Sequence, residues 1–203
     1  MRYFELTTLD TVIFGGAKAA PAIEKWVSQG EGRLCGAWST DLGHLNRVYV
    51  LRAFDEIGTL LHERERALHS DNPFGCMEHL ADLCMDSYRG VDFLPDAPSG
   101  RLGPVYEIRT YTPRIARLRP LLAAWEQAVP ERQAYSRLAV AMYALDGRLR
   151  YVQIWPYASL DERSRARQQS MADGKWPPRG GPDCVLPKMT SEIAYPLAFS
   201  PMQ

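Results

Sequence analysis

The chain states nearly the same pattern twice. Phe4-Glu5-Leu6-Thr7-Thr8 returns as Tyr106-Glu107-Ile108-Arg109-Thr110, and Pro21 through Trp26 returns as Pro120 through Trp125. Leu42-Gly43 running on to Phe54 returns as Leu145-Asp146-Gly147 running on to Tyr157. Asp71…Phe74 pairs with Asp173…Trp176, and Met85-Asp86-Ser87 with Met189-Thr190-Ser191. The offsets stay between 99 and 104 residues and change only between elements, where loops absorb insertions at low cost. Such a chain is one unit duplicated, and each copy must be read as a partner for the other.

Within one copy, residues 2–8 alternate into a strand. Ala17–Ser28 reads as a helix with Ile23, Trp26 and Val27 on one face, and Pro21 is tolerable there only in the first turn. Arg33–Thr40 and Leu45–Phe54 flank an Asp-x-Gly turn and read as a hairpin. Glu56–Leu68 is a second helix and Leu83–Tyr88 a final strand. The second copy follows with a strand at Val105–Tyr111, a helix from Arg117 to Ala128, a hairpin of Leu138–Leu145 and Leu149–Trp155, and a last strand at Met189–Tyr195. Its second helix opens on the capping box Ser159-Leu160-Asp161-Glu162 and runs to Met171. The order β-α-β-β-α-β is the ferredoxin-like split motif, so the predicted class is α+β with two tandem ferredoxin-like repeats. The boundaries are 1–95 and 104–203, joined by the linker Asp96-Ala97-Pro98-Ser99-Gly100. Helices on one face of each sheet leave the other face bare, and burying it against the other copy is the physical use of the duplication.

Composition narrows the function classes. Twenty-four basic and 24 acidic residues cancel in a chain of 203, which gives no electrostatic case for a nucleic-acid or membrane partner. No apolar run reaches the length of a membrane span, and Met1-Arg2-Tyr3-Phe4-Glu5 lacks the apolar core of a signal peptide. Four cysteines in this length are not a disulfide framework, and they read as reduced thiols of a cytoplasmic protein. Cys76-Met77-Glu78-His79 with Cys84 has irregular spacing, so no metal is expected, and no glycine-rich phosphate loop implies a nucleotide cofactor. The expectation is no cofactor.

Strand alternation sorts residues by face. Phe4, Leu6, Tyr106, Ile108, Val152 and Ile154 form apolar sets expected to meet the helices. Glu5, Arg52, Glu107, Arg109, Tyr151, Gln153 and Trp155 then point at the other copy, where charges must pair or line a wet cavity. Trp38 and Tyr143 fit either side. If the charges line a cavity, Arg109, Tyr111, Tyr151, Gln153 and Trp155 surround it, with Arg109 holding an anionic group. Tyr111 or Glu107 then moves a proton. Trp176 heads the stiff loop Trp176-Pro177-Pro178-Arg179-Gly180-Gly181-Pro182, which either closes over a pocket or packs its indole on the preceding helix. The substrate-binding candidates are thus Arg109, Tyr151, Gln153, Trp155 and Trp176.

Val105-Tyr106-Glu107-Ile108-Arg109-Thr110-Tyr111-Thr112 resembles the opening motif of NIPSNAP proteins. Gln153-Ile154-Trp155-Pro156-Tyr157 through Arg163 resembles that family's strand-to-helix signature, and Asp173 with Trp176 its following loop. The resemblance implies a dimeric α+β barrel, here a pseudo-dimer of two repeats, with relatives among cofactor-free monooxygenases, haem-degrading enzymes and isomerases. Family members often carry a histidine two residues before the signature tryptophan, where this chain has Gln153. The expected function is binding of a small organic molecule, with a cofactor-independent oxidation or isomerisation as the chemistry it would support. The alternative is a non-catalytic binding or assembly module that uses its sheet faces. Free edge strands lead to an expectation of a homo-oligomer. Copy 2 carries Arg109, Gln153, Trp155 and Trp176 where copy 1 has Thr7, Val50, Arg52 and Phe74, so any chemistry belongs to copy 2.

Overall fold

A computed structural model describes residues 3–203. Copy 1 runs β1 (Tyr3–Thr11), α1 (Gly15–Ser28), β2 (Arg33–Leu42), β3 (Arg47–Phe54), α2 (Ile57–Leu68) and β4 (Leu80–Gly90). Copy 2 runs β5 (Val105–Pro113), α3 (Leu118–Arg132), β6 (Val140–Ala144), β7 (Tyr151–Tyr157), α4 (Leu160–Ala172) and β8 (Val185–Pro196). The expected element order holds in both. Arg2, placed in the first strand by its alternation, lies outside the described residues, as does Met1. Because α1 begins at Gly15, Pro21 falls in its second turn and not its first, removing one backbone donor from the helix. α3 runs beyond Ala128 to Arg132 and carries Pro130 in its last turn.

The strands close into one antiparallel barrel in the order β1-β3-β2-β8-β5-β7-β6-β4. Each copy keeps the ferredoxin-like order, β4-β1-β3-β2 and β8-β5-β7-β6, and the copies join at two seams, β2 with β8 and β4 with β6. Closure leaves the sheet without free edges, so the predicted edge-strand route to a homo-oligomer is absent.

The two sheet faces are the reverse of the expected assignment. Phe4, Leu6, Leu51, Ile108, Val152 and Ile154 fill the barrel interior with Trp38, a single cluster drawn from both copies. Glu5, Arg52, Glu107, Arg109, Tyr151, Gln153 and Trp155 lie on the outer face, beneath the helices, and Tyr143 sits on that side too. In copy 2 the composition of α4 matches a charged outer face. In α4 only Ala166 and Ser170 are buried, and its inward residues include Arg163, which bonds Glu107. A helix of that composition cannot cover an apolar sheet, but it can supply guanidinium partners to a charged one. The interior, lined mainly by strands, holds the apolar set. Gly36 stands beside the Trp38 ring there, and a Cβ on it would lie 2.1 Å from the indole.

Matching arginines mark the seams. Arg47 Nε donates to Asp10 at 2.6 Å, and its NH1 lies 3.7 Å from Glu192 on β8 of the other copy. Arg150, at the corresponding place in copy 2, sets its NH2 3.1 Å from Asp86 on β4. Such partly exposed pairs contribute about 0–1 kcal/mol each. A buried Leu51 or Ile154 contributes about 1.5–3 kcal/mol, so the shared apolar interior holds the copies together and the arginines set their register. All four cysteines are free thiols, and burial pushes Cys35 and Cys76 up to about 11, which makes them poor nucleophiles. Among the described residues no helix is long and apolar enough to cross a membrane.

Candidate functional site

On the outside of the barrel, between copy 2's sheet and its own helices, lies a cavity of about 380 Å³. Alternation along β5 turns Glu107, Arg109 and Tyr111 to this side; the last two form the floor, together with Met189 from β8. α3 contributes Leu121 and Trp125, and α4 contributes Arg167 and Met171. The loop after α4 closes the remaining side with Trp176, Pro177, Pro178, Gly181 and Pro182, and Arg114 stands at the turn beyond β5. The proline-rich loop thus does both things weighed for it. Its prolines line the cavity, and its indole packs edge-on against Trp125 of α3 at 4.7 Å between ring centres. Trp125 also meets Tyr151 at 5.0 Å and Tyr111 at 6.3 Å, so one tryptophan organises the aromatic wall.

Behind this wall sits the charge cluster. Glu107 is fully buried, and its Oε1 accepts from Arg109 and Arg163 at 2.5 Å each and from Ser191 at 2.6 Å. Burial pushes its carboxyl up, but the hydrogen bond from Arg163, the charge of Arg109 and the hydrogen bond from Ser191 outweigh that and hold it at about 2. Arg109 also donates from Nε to the Tyr111 hydroxyl oxygen at 2.9 Å, which leaves the tyrosine O–H to donate elsewhere. Burial raises the phenol of Tyr151 well above its ordinary value. Arg132 is buried with its guanidinium over the rings of Trp155, at 4.8 Å, and Trp176, at 5.6 Å, and donates to Ser136. Removal from water lowers its pKa.

Of the residues singled out by sequence, Arg109, Tyr111 and Trp176 reach the cavity. Tyr151, Gln153 and Trp155 do not line it; they are buried beneath it and support it. Gln153 is 0 % exposed and accepts from the Trp155 indole at 3.3 Å. Glu107 does not line the cavity; its Oε1 is shared by three donors, and its buried Oε2 has no hydrogen-bond partner among the described residues. Trp125, Arg114, Arg167 and Met171 went unrecognised. Trp125 had a signal in its repeat partner Trp26, which also sits on a helix and meets the equivalent loop aromatic, Phe74, at 5.7 Å.

Copy 1 treats the equivalent space differently. Thr7, Leu9 and Phe74, which match Arg109, Tyr111 and Trp176, are fully buried, and the latter two pack with Ala19 and Ile23 of α1. Glu5, the match of Glu107, bonds Arg52 at 2.7 Å, and Arg52 in turn bonds Glu63 of α2 at 2.6 Å. Arg52 occupies the position that Trp155 holds in copy 2.

Residues 106–201 match the NIPSNAP family model. A candidate monooxygenase from Lactobacillus acidophilus has a solved structure that superposes with a TM-score of 0.66 at 10% identity, covering 96% of this chain and 93% of that one. An anthrone oxidase-like protein superposes with a TM-score of 0.67 at 12% identity, covering 100% of this chain and 94% of that one. A NIPSNAP family protein of unknown function from Agrobacterium tumefaciens is 27% identical over 50% of this chain and 96% of its own, with a TM-score of 0.46. No protein of curated function matches the chain in sequence. The full-length likenesses establish the fold, a dimeric α+β barrel built here within one chain.

Proposed function

The C-terminal repeat of this chain is a NIPSNAP domain, and from that premise we propose that its cavity binds a small, largely apolar organic molecule. The observation that carries this reading is the cavity itself: about 380 Å³, walled by Trp125, Trp176, Leu121, Met171 and prolines, with a few polar groups converging on it. That is the usual make-up of a ligand site. Copy 1 fills its equivalent space with side chains and acts as the other half of the barrel wall.

Binding is better supported than chemistry. A cofactor-independent oxidation or isomerisation needs a base to take a proton from the substrate. Glu107 is held at about 2 by its donors and lies behind the lining, and Gln153 replaces the family histidine. The lining group able to exchange a proton with a bound molecule is the Tyr111 hydroxyl. Any oxidation or isomerisation at this site would run through Tyr111. The assembly alternative loses support because the apolar sheet faces are spent inside the closed barrel.

Ligand-observed NMR with a set of aromatic fragments tests the reading. Fragments that bind the native protein should be lost in Met171→Trp, which fills the cavity from α4. Fragments bound equally by both proteins, or by neither, would refute it.

A further inference from the structure

Resting on that reading of the cavity, we propose that its occupant is an organic anion, a flat apolar body bearing a carboxylate that Arg167 and Arg114 grip. Three arginines line the cavity, Arg109, Arg114 and Arg167, and no acidic side chain does. Arg109 is already committed, through NH1 to Glu107 and through Nε to Tyr111. Glu107 is in turn shared with Arg163. Arg114 and Arg167 have no ion-pair partner among the described residues, whereas Arg109 and Arg163 are both tied to Glu107.

One carboxylate, Glu107, therefore stands against five guanidiniums at this site, those of Arg109, Arg114, Arg132, Arg163 and Arg167, and the surplus is positive where Arg114 and Arg167 line the cavity. A guanidinium beside aromatic and proline walls is poorly hydrated and gains most from a planar anion held by two parallel hydrogen bonds. Arg167 is half-buried and Arg114 exposed, so Arg167 is less screened and grips harder. The Tyr111 O–H, freed by accepting from Arg109, adds a third donor. Trp125 and Trp176 then face the apolar body of the ligand. The anion site thus moves from Arg109, where the sequence placed it, to two arginines on α4 and the turn after β5.

Isothermal titration with three probes of one shape tests this: 2-naphthoate, 2-naphthamide and 2-naphthylmethylammonium. The carboxylate should bind at least about tenfold tighter than the amide, with the ammonium weakest. Arg167→Gln should remove most of that gap, weakening the carboxylate about tenfold more than the amide. Equal binding of carboxylate and amide, lost in Met171→Trp, would overturn the anion proposal and leave the cavity reading intact. A gap that survives Arg167→Gln and Arg114→Gln would likewise overturn it. Binding of none of the probes, or binding indifferent to Met171→Trp, would sink both.

Discussion

Glu107 keeps its charge in a place with no water because three donors converge on one of its oxygens. Its folded pKa of about 2 lies below the ordinary 4.5, so the folded chain refuses a proton that the unfolded chain accepts. The stabilisation is complete above about pH 5 and fades as pH falls from 4.5 toward 2. At roughly 1.4 kcal/mol per pH unit it is of order 3 kcal/mol. Glu107→Gln leaves two guanidiniums without their carboxylate and is expected to destabilise by about 3 kcal/mol at pH 7. It should also flatten the loss of stability between pH 5 and 3, as read by urea unfolding at stepped pH. Parallel pH curves for native and variant would contradict this account. Arg52 between Glu5 and Glu63 is the same device in copy 1, with the arginine taking the place of Trp155.

The helices decide what each sheet face can be. α4 begins as its sequence announces: the Glu162 amide donates to Ser159 Oγ at 3.0 Å, and the Glu162 carboxylate reaches back to the Ala158 amide. Ser159→Ala is expected to lower stability by about 1 kcal/mol, with Ser159→Asp restoring it, measured by urea midpoints. Capping boxes, hairpin turns and the repeat are local signals, and they were legible. The direction of the sheet faces was not, because alternation says which residues share a side and is silent on which side faces outward. The missing clue was the near-absence of apolar residues in α4, Leu160-Asp161-Glu162-Arg163 onward, where Ala166 alone joins the apolar cluster and Arg163 meets Glu107. Neither Trp125 nor Arg167 is marked as a site residue by a local signal, since only the fold sets them around one cavity with the segment 176–182. β4 and β8 begin earlier than the alternation suggested, because their first halves are largely exposed and carry no buried stripe.

At the scale of the molecule, the interior belongs to neither copy alone: Leu6 and Leu51 of the first lie in one cluster with Ile108 and Ile154 of the second. The two are therefore expected to unfold together. Tryptophan fluorescence, to which copy 2 contributes Trp125, Trp155 and Trp176 of the five indoles, and far-ultraviolet dichroism, reporting both copies, should give coincident urea curves. Separate midpoints would mean independent domains. The cavity, by contrast, is walled from Arg109 to Met189 by one copy only. A barrel made of two identical chains must suffer every substitution twice, so a change that fills one site fills both. Joining the two copies in one chain breaks that obligation. Phe74 can plug one side while Trp176 guards the other, and each wall is free to change without consulting its twin.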